Sequence, residues 1–231
     1  MATFGQVPQD PAAGAEFLAT LARVDRRVTF HNIPAPQKQE GLKKDDRPWQ
    51  YYEIKGGSEV GAPLAVLVVA EVPHETVTVM LPDGRVVMHL WKTSGYYGPN
   101  VGLAADGRDV QFGTNHGKGL SALTFKHVLS YGNKSFLEIP GPKESPWVWP
   151  FMILTCCLKA CCVNCIWPPR KFSVVFKGTA EVGRIVGAGK GMGPSADHLA
   201  QAQAQDPAVL SGMILMMSQR IWGSNFNRCT A

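Results

Sequence analysis

Five of the six cysteines, Cys156, Cys157, Cys161, Cys162 and Cys165, fall within one short stretch, and Cys229 stands apart. The segment around them, from Pro146 to Trp167, reads PWVWPFMILTCCLKACCVNCIW. Three kinds of chemistry suit such a cluster. Thiols beside a membrane can carry fatty acyl thioesters. Trp147, Trp149 and Trp167 fit that setting, because an indole is apolar over most of its ring and polar at one edge. Arg170 and Lys171 follow and can meet anionic head groups, each for about 1 kcal/mol at such a surface. One acyl chain anchors weakly, so several adjacent thiols make physical sense. The second chemistry is metal binding. Cys162 and Cys165 have the spacing of a zinc knuckle, and Cys157 and Cys161 can complete four thiolates. Zinc sites, however, draw their ligands from two separated pairs, and the sequence has no second such pair, which disfavours zinc. The third is plain burial, since a free cysteine is a good small core residue. A membrane-spanning use of the same window is opposed by Pro150, Lys159 and Asn164, a charge at mid-membrane costing about 2.5–3.5 kcal/mol.

Other chemistry is not evident. Gly187-Ala188-Gly189-Lys190-Gly191 fails as a phosphate loop, because Gly191 stands where a Ser or Thr must follow the lysine. The sequence has no G-x-S-x-G elbow and no H-E-x-x-H pair. The six histidines, His31, His74, His89, His116, His127 and His198, show no ligand spacing, so each reads as a surface or hydrogen-bonded core residue. Asn133-Lys134-Ser135 matches a glycosylation acceptor but reads better as a turn. The chain is therefore expected not to be an enzyme and to need no cofactor beyond covalent acyl groups.

Composition sets the frame. With 45% hydrophobic and 18% charged residues in 231, the chain can bury a substantial core, and global disorder is excluded. A net charge of +5 and a pI near 8.9 suit an anionic membrane surface or RNA and are specific to neither; nucleic acid is not expected as a partner. Clustered rather than dispersed cysteines suggest a reducing compartment. The first thirty residues lack the apolar core of a signal peptide, and Asp10, Glu16 and Asp25 argue against a transit peptide.

The elements that must position the cluster read as β-rich. Ala12 to Val28 suggests a short amphipathic helix through Phe17, Leu18, Leu21, Val24 and Val28, within a flexible, solvated arm over residues 1–48. From Trp49, apolar or alternating runs (50–55, 63–72, 76–81, 85–91, 109–112, 135–139, 172–177 and 180–186) are divided by Gly56-Gly57, Pro82-Asp83-Gly84, Asp106-Gly107, Gly132-Asn133 and Gly178. Hairpin follows hairpin with no helix between strands, which argues for an antiparallel barrel or sandwich. One strong helix comes late. Asp206 can cap it, Pro207 suits its first position, the run from Ala208 to Met217 is apolar on nearly every side, and Gly223 can end it. A helix apolar all round needs apolar surroundings, and this one is short for a membrane span, so burial inside a barrel is expected.

The order of a Cys-rich cluster, the hairpin text FSVVFKGTAEVGRIV, the step Ala196-Asp197-His198 and an apolar C-terminal helix resembles the tail of the phospholipid scramblase family, which shares a fold with tubby-like and LURP-one-related proteins. The resemblance implies an antiparallel barrel of about twelve strands around a central C-terminal helix. It further implies membrane association through acylated cysteines, lipid binding, and a calcium site in the acidic segment before the helix. In this chain that segment retains Asp197 and Asp206, fewer carboxylates than calcium usually takes.

The sequence is thus expected to encode an N-terminal arm (1–48) and a tubby/scramblase-like barrel (49–231). Its expected function is that of an intracellular, membrane-associated, lipid-binding protein docked through Cys156 to Cys165, with anionic lipids as partners. The rival expectation is an accessory structural subunit of a larger membrane complex, with protein partners along its apolar runs.

Overall fold

A computed structural model of the chain describes residues 9–35, 50–57, 62–70, 76–92, 100–116, 125–139, 172–186 and 198–226. The described residues form twelve strands and two helices: α1 (Pro11–Leu21), β1 (Arg27–Ile33), β2 (Gln50–Gly56), β3 (Ala65–Ala70), β4 (Thr76–Met80), β5 (Val86–Lys92), β6 (Asn100–Leu103), β7 (Asp109–His116), β8 (Phe125–Tyr131), β9 (Lys134–Ile139), β10 (Phe172–Lys177), β11 (Ala180–Val186), β12 (His198–Ala202) and α2 (Pro207–Phe226). Each strand pairs antiparallel with its neighbours in sequence, and β12 pairs with β1 to close the barrel. Closure removes every sheet edge.

Strand direction gives the barrel two unlike ends. The connections after β2, β4, β6, β8 and β10 leave from one end, and the last four of these are tight turns. Gly57, Gly84, Gly107, Gly132 and Gly178 lie there, all with positive φ, where a Cβ would be strained. The connections after β1, β3, β5, β7, β9 and β11 leave from the other end and span residues 34–49, 71–75, 93–99, 117–124, 140–171 and 187–197.

α2 enters from the tight-turn end and fills the lumen. Residues 209–218 are all buried, a run that covers every side of a helix. Small residues make room for it. Gly212 faces Leu129 and Leu137, and Gly183 faces Met213, in both cases too closely for a Cβ. Ala200 and Ala202 line the lumen side of β12. At the helix start, Asp206 Oδ1 accepts from the amides of Ala208 (3.0 Å) and Val209 (3.1 Å). The cap and the first-position proline are as the sequence suggests. Gly223 does not end the helix, which continues to Phe226.

α1 closes the tight-turn end. Asp10 Oδ1 caps it by accepting from the amide of Ala12 at 2.9 Å, and Ala13, Phe17 and Leu21 turn fully inward. Gln9 Nε2 donates to the carbonyls of Val87 and Ala104, both at 2.6 Å.

The expected arm is corrected on this point. The helix stops at Leu21, and Val28 belongs to β1, which bridges β2 and β12. Val28 and Phe30 alternate into the core, so strand periodicity replaces the helical one at Arg27. Residues 1–8 and 36–49 lie outside the described residues.

Candidate functional site

The Cys-rich segment is part of the connection between Ile139 and Phe172, the longest of the barrel. Both flanking residues lie at the end opposite α1, so the chain leaves and re-enters the barrel there. Trp147, Trp149, Cys156, Cys157, Cys161, Cys162, Cys165, Trp167, Arg170, Lys171 and Asp197 all lie outside the described residues. The fold fixes only where the connections that hold them leave and re-enter the barrel.

The charged groups at the α1 end are committed to one another. The turns at Asp83-Gly84-Arg85 and Asp106-Gly107-Arg108 are near copies. In each, one aspartate oxygen accepts from the arginine amide at 3.1 Å and the other from Nε, at 2.7 and 2.6 Å respectively. The amide and then the guanidinium of Arg85 hold the Asp83 carboxyl below its ordinary range. Partial burial pulls Asp106 upward, but the guanidinium and amide of Arg108 outweigh it and leave it lowered. Arg85 also donates to Glu16 of α1 at 2.7 Å, which, together with Asp83, raises its own pKa. Arg108 lies over the Tyr131 ring, 4.0 Å from its centroid, and Tyr131 packs on Phe136 at 4.6 Å. Burial first, and the charge of Asp106 second, push the Tyr131 phenol up to about 12. These contacts fasten turns and helix together, a structural role.

Two strand histidines are each hydrogen-bonded to a threonine. His89 Nδ1 and Thr78 Oγ1 share a buried hydrogen bond of 2.8 Å, and His31 Nε2 and Thr29 Oγ1 a partly buried one of 2.9 Å. Asp206, half of the expected calcium pair, spends Oδ1 on the helix cap. Among the described residues no three His, Cys, Asp or Glu side chains group together as a metal site.

The barrel is apolar within, and polar side chains punctuate its outer face. Outward positions include Glu53 and Lys55, which pair at 3.1 Å, together with Gln111, Arg184 and Gln201, and over β3, β5 and β6 also the apolar Val66, Val68, Trp91, Val101 and Leu103. Among the described residues no helix is long and apolar enough to cross a membrane. Sequence reasoning did not single out the inward-facing polar residues Asn100 and Gln219, whose burial depends on the barrel closing.

No family model, curated protein or solved structure matches the chain.

Proposed function

We propose that this chain is a membrane-associated, lipid-binding barrel protein of the scramblase-like type, docking on a bilayer by its loop-rich end. The observation that carries this reading is the polarity of the barrel. The connection holding Cys156 to Cys165, Trp147, Trp149, Trp167, Arg170 and Lys171 starts and finishes at the end away from α1. In this reading the thiols carry acyl chains, the indoles sit at head-group depth, and the two cations meet anionic lipid. The barrel itself serves as a rigid mount. Its lumen holds α2, so the proposal assigns lipid docking and not lipid transport, and it invokes neither catalysis nor a metal.

The test is the intact mass of the protein purified from its own source in mild detergent, before and after hydroxylamine. Loss of fatty-acyl mass from Cys156 to Cys165 is the expected result. An unmodified mass, with the protein migrating in a large detergent-stable complex, overturns the docking reading in favour of a structural subunit.

A further inference from the structure

The lumen is apolar along most of α2, but it changes character near the loop-rich mouth. β6 begins there at Asn100, which pairs across the ladder with the core residue Phe112 and so faces inward. Asn100 is 9% exposed, and its Oδ1 accepts no hydrogen bond from any described residue. A second orphan acceptor lies on α2. Gly212 abuts Leu129 and Leu137, and Gln219 follows it by two helical turns, about 10 Å nearer the mouth on the same side. On the same faces as Leu129 and Leu137, two residues nearer the mouth, β8 and β9 carry the paired His127 and Ile139. Gln219 Oε1 is buried and also accepts nothing from the described residues. On β7 and β8, the strands that follow β6, the His127 ring stacks on Phe112 with centroids 5.9 Å apart and planes 15° from parallel.

Buried carbonyl oxygens without donors are costly, and a native fold that keeps two of them in one region has a use for them or a guest that satisfies them. We propose that the mouth of the barrel is a binding site for a hydroxyl-bearing molecule. Its O–H groups donate to Asn100 Oδ1 and Gln219 Oε1, and its carbon skeleton lies against Phe112 and Ile139. The hydroxyl can belong to a free polyol ester or to a lipid head group. The inference rests on the lumen and not on the docking reading.

The test uses the full chain with two probes: a short-chain monoacylglycerol in solution, and phosphatidylcholine vesicles with or without diacylglycerol. Thermal melting and the side-chain amide NMR signals of Asn100 and Gln219 are followed. A rise in Tm and movement of both amide signals with the soluble probe alone assigns a free ligand. The same response to diacylglycerol vesicles, absent with plain phosphatidylcholine, assigns a lipid head group. Asn100→Leu and Gln219→Met should melt no lower than wild type without probe, because each removes an unsatisfied acceptor, and should lose the response. Silence of the wild-type protein toward both probes overturns the proposal, whether or not the variants fold. So does a clear fall in Tm for both variants, which would mean that trapped water already satisfies these atoms.

Discussion

Arg85 Nη2 lies 2.7 Å from Glu16 Oε2, and this contact ties the β4–β5 turn to the helix that closes the barrel. The same guanidinium reaches Asp83 at 2.7 Å and approaches Asp10 at 3.9 Å. All of these groups are substantially exposed, so water and salt screen the cluster and it does little to global stability. Replacing Arg85 with Met should leave Tm nearly unchanged while amides of α1 exchange faster. Equal exchange rates in variant and wild type would show that α1 is held without the cluster.

Packing at Gly14 should matter more. A Cβ built there runs into the carbonyl oxygen of Ala105, and backbone cannot yield as a flexible side chain can. Gly14→Ala favours the helix intrinsically but overpacks this contact, and overpacking typically costs about 1–3 kcal/mol. The variant should be less stable than wild type in urea, with the deficit exceeding that of Arg85→Met. A more stable variant would mean that α1 shifts freely on the barrel floor.

The turns were the most legible part of the fold. Pro82-Asp83-Gly84, Asp106-Gly107, Gly132-Asn133 and Gly178 announce themselves because such tight turns need residues that accept positive φ. The capped apolar helix was legible for a similar local reason. Four strands were not. β6 is four residues long with Gly102 inside it, and β12 reads His-Leu-Ala-Gln-Ala, a composition with little strand preference. β12 is a strand because β1 and β11 pair on both sides of it, and β1 itself looked like the tail of a helix until that closure was made. β8 alternates weakly and gives no turn signal before Phe125. The mouth of the lumen was hidden for the same reason. Asn100 and Gln219 are ordinary surface residue types, and tertiary closure is what buries them.

Stability should fall at both extremes of pH. Asp83 and Asp106 are held below their ordinary value of 3.8. Above 3.8 both folded and unfolded chains are ionised and the stabilisation is fully present. As pH drops below 3.8, the unfolded chain takes up protons first, and the contribution is lost as the folded groups titrate. Tyr131 has the opposite sign. Its folded value of about 12 exceeds the ordinary 10.0, so its contribution is intact below pH 10 and disappears as pH rises toward 12. Tyr51 and Tyr52 are shifted in the same direction, mainly by burial, and add to the alkaline limb. Tyr131→Phe should make the decline of Tm above pH 10 shallower without altering the acid limb. An unchanged alkaline limb would show that this phenol ionises as freely in the folded barrel as in the unfolded chain.

The final prediction separates the helix as core from the helix as attachment. Met213 is fully buried against Gly183, and Leu215 is 1% exposed on another face of α2. A carboxylate placed at either position has no described partner and would be desolvated, a cost of several kcal/mol that a domain of marginal stability cannot absorb. Met213→Asp and Leu215→Asp should therefore fail to fold. Met213→Ala should fold with a loss of about 2–5 kcal/mol, the range for truncating a buried large side chain. Asp206→Ala, which removes the cap without disturbing the lumen, should lose about 1 kcal/mol. The order of these effects carries the argument. If α2 merely leaned on the outside of the barrel, one face would tolerate charge, and Leu215→Asp or Met213→Asp would give a soluble protein with a cooperative melt near that of wild type.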